Sequence, residues 1–221
     1  MNLSCCYCAA FYTGNNQQSP LQCTLIIIPE QPLIISWVPK KPLEQEHQEV
    51  KRHIVPTAVE RIMREDDFIV SMTDPKGRIT YGNRIFIEFS GYTESELLGT
   101  QHNIIRHPDM PRAVFQLLWD KIRNREECFA YVKNLAKDGS FYWVFTNVTP
   151  TFDASGNITG YFSVRRKPKA SGVKTASEVY RIMLEAEKKA GPAKAIAASA
   201  QILAGILEEK GLSYDELVLA I

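Results

Sequence analysis

The sequence carries almost no net charge: 26 Lys and Arg stand against 25 Asp and Glu, a balance of +1 over 221 residues. A nucleic-acid binder needs an excess of Lys and Arg against the phosphates, so nucleic acid and other polyanions are disfavoured as partners. Long apolar runs are missing as well. None approaches the roughly 18 residues of a spanning helix, and the opening residues lack the basic-then-apolar layout of a secretory leader. The expectation is a cytoplasmic protein with no membrane span. Cysteine is scarce and poorly placed for cross-linking: Cys5, Cys6, Cys8 and Cys23 crowd the start of the chain and only Cys128 falls in its patterned part. An odd set so distributed describes no disulfide framework. Cys5, Cys6 and Cys8 with Cys23 or His47 also lack paired zinc-ligand spacing, so no metal is expected. Finally, there is no phosphate-cradling glycine loop, nucleophile elbow or metalloprotease helix. No enzyme is expected.

What is present is organised in blocks. In residues 1–50, Pro29, Pro32, Pro39 and Pro42 break two short apolar runs, and no helical or strand period survives them. This stretch reads as a disordered or non-native extension. Residues 51–64 predict an N-terminal cap helix, with Thr57 as N-cap and Glu60 at the reciprocal capping-box position. Strands are predicted over 68–73 and 79–81, joined by the tight turn Asp74-Pro75-Lys76-Gly77. Short helices over 84–90 and 94–98 each meet a stopping glycine, Gly91 and Gly99. Pro111 opens a longer helix to about residue 123, where Val114, Phe115, Leu118 and Ile122 recur at helical spacing.

Three runs rich in aromatic and β-branched residues follow, 129–135, 141–152 and 158–166, separated by short turns. Two strands, small helices, then three strands imply an α+β domain over 65–168. Its antiparallel five-stranded sheet would carry the small helices on one face, with a cavity between. After Lys167 the composition shifts to Ala, Glu, Lys and Leu, and residues 169–221 read as a helical region. Helices are predicted over 176–189 and 193–210, with Ser213 capping a last short one. Their apolar stripes need cover from the domain itself, a second copy or a signalling partner.

The run Ile79-Thr80-Tyr81-Gly82-Asn83 and the run from Phe89-Ser90-Gly91-Tyr92 to Leu97-Leu98-Gly99 resemble the widespread PAS signature. A narrower motif is His102-Asn103-Ile104-Ile105-Arg106-His107-Pro108-Asp109-Met110-Pro111, followed by Trp119. With Lys133-Asn134, Asp138-Gly139 and Tyr142-Trp143 it is similar to the sensory domain of bacterial aerotaxis receptors. That family binds FAD non-covalently and reports its redox state. The resemblance implies a PAS fold, an FAD cofactor and a role in signal transduction. An aerotaxis receptor continues into a membrane anchor and a helical signalling hairpin, whereas this sequence stops at Ile221, which implies a short stand-alone sensor.

Candidate site residues follow from chemistry and resemblance together. Arg106, His107 and Asp109 precede a helix start, where free N–H groups and the helix dipole attract an anion such as the FAD pyrophosphate. The plainer alternative is a helix cap and a surface ion pair. Asn83, Asn134 and Asn147 carry amides suited to the donor and acceptor edge of an isoalloxazine ring, although Asn83 equally suits a helix cap. Trp119 and Phe129 are placed to pack on a ring, and Trp143 or Tyr142 to line the pocket by strand alternation. No Asn-Cys-Arg-Phe run of the light-sensing PAS domains occurs, and Cys128 reads as a packing residue. A haem held by His107 or His102 is the rival cofactor. A cofactor-free docking or dimerisation module is the rival role.

Overall fold

Five strands and six helices are built from residues 54–221, the part of the chain that the computed structural model describes. The readings of residues 1–50, the cysteine cluster among them, lie outside the described residues. β1 (Phe68–Thr73) and β2 (Ile79–Gly82) form a hairpin. Asp74 makes its turn by accepting, at Oδ1, the backbone N–H groups of Lys76 and Arg78 at 2.8 and 2.9 Å. Gly77 completes it at φ 80°, in the left-handed region. A side chain there would also sit 2.9 Å from the Trp119 ring, so the position excludes one twice over.

Three helices cross to the other edge of the sheet: α1 (Arg84–Ser90), α2 (Glu94–Leu97) and, after a 3-10 turn over His102–Ile105, α3 (Arg112–Arg123). β3 (Cys128–Leu135), β4 (Phe141–Phe152) and β5 (Ile158–Arg166) then close an antiparallel sheet in the order β2-β1-β5-β4-β3. Thr93 and Glu96 form the capping box of α2, and Gly91 ends α1 at φ 71°. These are the start and stop signals that the residues carry.

The expected helix over 51–64 is a correction. Its described part is extended and pairs with the start of β4: Thr57 N–H donates to Gly139 O at 2.7 Å, Phe141 N–H to Val59 O at 2.9 Å and Arg61 N–H to Phe141 O at 2.8 Å. Backbone groups at the sheet margin satisfy this segment better than a short isolated helix would. Val59 and Ile62, which lay within the expected helix, stay exposed.

The last three helices are α4 (Ala170–Ala190), α5 (Ala195–Lys210) and α6 (Tyr214–Ala220). α4 begins six residues before its expected start. It lies on the outer face of the sheet, where Tyr180 donates its hydroxyl to Tyr131 O at 2.8 Å and stacks on Trp143. Gly172 rests against the Tyr131 ring, leaving no room for a side chain. α5 packs on α3 and α4, and α6 meets β3 and α3, with Lys121 paired to Asp215 at 2.8 Å. Of the three possible covers for these apolar stripes, the domain's own sheet and α3 supply one. Among the described residues no helix is long and apolar enough to cross a membrane.

Candidate functional site

Strand alternation assigns each sheet residue to one of two faces, and register ties the strands together. Val132, Asn134, Val144, Thr146, Val148, Ser163, Arg165 and Ser71 share the inner face, as the pairs Val132↔Val144, Thr146↔Arg165, Val148↔Ser163 and Ser71↔Ser163 require. Between this face and the helical side lies a cavity of about 350 Å³. His102, Ile105 and Arg106 from the 3-10 turn region wall it, with Phe115 and Trp119 from α3. Arg112 and Ile196, the latter from α5, line it as well.

The floor is polar and centred on Arg165, which is only 4% exposed. Its Nη2 donates to Ser71 Oγ at 2.8 Å and to His102 Nε2 at 2.7 Å, while Nη1 has no partner among the described residues. Accepting that bond makes His102 neutral, with its lone pair on Nε2 engaged. Burial, and then the neighbouring guanidinium, push its pKa down to about 3. The ring stacks on Phe86 at 5.8 Å, which also lies under the Arg165 guanidinium at 5.3 Å. Asn134, also 4% exposed, leaves its Nδ2 without a partner among the described residues. Its backbone bridges that of Arg106. Arg106 in turn covers the Phe115 ring at 4.3 Å and donates to Met110 O at 3.3 Å.

Three of the expected site residues, Arg106, Trp119 and Asn134, thus meet at one cavity. The others stand elsewhere. Asn83 is the N-cap of α1: its Oδ1 accepts from Phe86 N and Val70 N at 3.0 Å each, and its Nδ2 donates to Phe68 O at 2.7 Å. Its amide oxygen is used twice over by the backbone, and the residue does not line the cavity. His107 is buried beside the cavity without lining it, and its Nδ1 accepts from the Asp109 backbone at 3.0 Å. Asp109 pairs with Lys133 at 2.7 Å.

Phe129, Trp143 and Asn147 have the opposite strand parity and sit on the outer face. There Phe129 stacks on Phe145, Trp143 on Tyr180, and Asn147 donates to Glu127 at 2.9 Å. Tyr142 has the inner parity yet is fully buried without lining the cavity. The first turn of α3 likewise meets a protein carboxylate: Arg112 N–H donates to Glu187 Oε1 of α4 at 2.7 Å, and Ser199 Oγ of α5 donates to the same oxygen at 2.7 Å.

Ser71, Thr146, Ser163 and Arg165 escaped the reading of residues, and His102 entered it only as a haem ligand. The available signal was parity. Once Tyr161 faces inward, Ser163 and Arg165 must follow, and a charged residue at an inward strand position marks a site. The Cys128 thiol is buried and its pKa is pushed up to about 12 by that burial, which makes it an inert packing group. Among the described residues no cluster of His, Cys, Asp or Glu is arranged to hold a metal ion.

Residues 79–165 match a family model described as PAS fold. The Aerotaxis receptor of Escherichia coli (strain K12) is 36% identical over 121 residues, 55% of this chain and 24% of that protein. The Nitrogen fixation regulatory protein of Klebsiella pneumoniae is 29% identical over 97 residues, 44% of this chain and 20% of that protein. The chain therefore spans between a fifth and a quarter of the length of these relatives. Among solved structures, the dark state of the blue-light photoreceptor Aureochrome1 LOV aligns at 22% identity with a TM-score of 0.46, covering 55% of this chain and 99% of that one.

Proposed function

Starting from a chain that carries a PAS domain, we propose that it is a sensor holding a flavin, FAD by the aerotaxis-type motif, and passing that cofactor's state to a protein partner. The observation that carries this reading is the cavity of about 350 Å³ with two buried donors, Asn134 Nδ2 and Arg165 Nη1, that nothing among the described residues satisfies. Buried polar groups are normally paired, and a flavin ring offers a carbonyl edge that accepts such donors. The volume falls in the range of ligand pockets, roughly 300–1,000 Å³. The residues present therefore fit the group. Asn134 and Arg165 would hold its polar edge, Trp119 and Phe115 its flat faces, and Arg106 with Arg112 its phosphates. A bound flavin supplies reversible electron uptake.

The route outward runs through residues at the rim. Ile196 of α5 lines the cavity, and Glu187 of α4 with Ser199 of α5 receives the start of α3. A change of charge in the cavity is felt where these helices dock. A modest shift in their docking equilibrium would alter a partner's affinity, or that of a second copy of the chain. The role is non-catalytic and set in the cytoplasm, so purified protein is expected to show no steady turnover of a pyridine nucleotide.

Haem fits poorly. His102 Nε2 already accepts from a guanidinium, and His107 does not line the cavity. An absorbance spectrum of protein purified from cells, before and after dithionite, tests the reading. A bleachable two-banded yellow spectrum supports it. A sharp Soret band assigns haem instead, and folded colourless protein that takes up no added FAD assigns a cofactor-free docking module.

A further inference from the structure

The floor of the cavity holds a positive charge that no acidic group among the described residues balances. Among the described residues no Asp or Glu lines the cavity, and Arg165 has no carboxylate among its hydrogen-bond partners. A buried guanidinium without a counter-charge is costly to a fold. Ser71 and His102 hold its Nη2 in place, so the group is fixed and its Nη1 stays unspent. The remaining neighbours do not neutralise it. Phe86 offers a ring face at 5.3 Å, Tyr142 a neutral phenol, and Arg106 and Arg112 add cations elsewhere on the lining.

We infer that Arg165 and Asn134 together form a subsite for the carbonyl edge of a planar ring ligand, and that Arg165 makes this subsite favour the ring's negatively charged form over its neutral form. The inference rests on the flavin reading above and deepens it. Asn134 contributes a neutral donor, which favours the charged form of the ring only weakly. Arg165 contributes a charge-assisted bond, which strengthens as the acceptor gains negative charge. Protonation cannot take over that task from within the site. Among the described residues the lining has no carboxyl group, and its one histidine is held neutral by accepting from Arg165. Ser71 and His102 are positioning residues, acting through Arg165.

The test uses protein loaded with FAD. Two electrons from dithionite and one proton from water turn the neutral oxidised ring into a reduced ring bearing one negative charge. Preference for the anion therefore reads out as the ratio of affinities for reduced and oxidised FAD. In Arg165→Met and in Arg165→Gln, which keeps a planar donor without the charge, that ratio is expected to fall about tenfold, some 30 mV downward for a two-electron couple. Arg165→Lys should stay within about threefold of the unmodified protein, and Asn134→Ala should weaken both forms and also change the ratio by less than about threefold.

A ratio unchanged in Arg165→Met or Arg165→Gln overturns the inference. Should both variants fail to fold, the unmodified protein decides. Its bound FAD is expected to show an isotope-edited infrared carbonyl stretch below that of FAD in water, and a stretch at or above the free value overturns the subsite. Flavin that binds with an unshifted carbonyl and an unchanged ratio removes this inference alone. Folded protein that takes no flavin removes both it and the reading beneath it.

Discussion

The two faces of one sheet have opposite characters. The outer face carries Phe129, Tyr131, Trp143 and Phe145, which meet one another or Tyr180 by stacked or edge contacts, and Tyr131 donates its hydroxyl to Ile221 O at 2.8 Å. The inner face carries Asn134, Thr146, Ser163 and Arg165 around a cavity, with donors left over. Residues one position apart in the same strands therefore do different work. Outer residues close a structure, while inner ones keep donors in reserve. Polar groups left unsatisfied in a protein interior cost stability, and a binding site is where a fold tolerates that cost.

The sharpest break of this comparison is Trp143→Ala. Loss of the outer ring from its stack on Tyr180 should destabilise the domain by about 3 kcal/mol in urea titration. Once folded, the variant should still bind flavin as the unmodified protein does. A selective loss of flavin with unchanged stability would place Trp143 in the site after all. Next in size is acid sensitivity, which belongs to the inner side. His102 and His107 have pKa values pushed down from 6.5 to about 3 and about 4, by burial first and then by the nearby cations Arg165 and Lys133.

Above pH 6.5 both are neutral whether folded or unfolded, and this contribution to stability is intact. Between 6.5 and about 4 only the unfolded chain takes up their protons, so stability is lost as pH falls, by ~1.4 kcal/mol per pH unit for each. Unfolding free energies at pH 6 and 5 measure the slope, and His102→Gln should remove about half of the histidine part. Equal slopes in the two proteins would contradict the assignment.

Asn134→Ala tests the inner face directly. It removes an unsatisfied donor, so stability should hold within about 0.5 kcal/mol, while flavin affinity falls about tenfold, ~1.4 kcal/mol. Flavin retained in full would detach Asn134 from the site. The smallest expected effect is that of Tyr180→Phe, which deletes the hydroxyl bond to Tyr131 O and should cost about 1 kcal/mol with no change in flavin content. If it altered the flavin spectrum, the two faces would be coupled more tightly than their separation suggests.

Much of the architecture was legible because it is local. Asp74 and Gly77 make the first turn, Thr93 and Glu96 the capping box of α2, and Ser213 and Glu216 that of α6. Each of these depends on residues within four positions of one another. Residues 57–64 defeated the same logic, since their capping-box spacing was overruled by pairing with Gly139 and Phe141, some 80 positions away. The site was harder to read for a related reason. Arg106, Trp119 and Asn134 come from three separate elements, and nothing short of the sheet register says that Arg165 rather than Arg166 faces them.

Alone, the residues determined the order of elements, the antiparallel pairing of short-linked strands and the amphipathic character of the last helices, because each rests on period and turn chemistry. Only the tertiary structure decided which parity of β3, β4 and β5 faces the cavity, that α4 covers the outer face, and that Glu187 meets the start of α3. Those choices rest on contacts between residues far apart in the chain, whose energies no local pattern encodes.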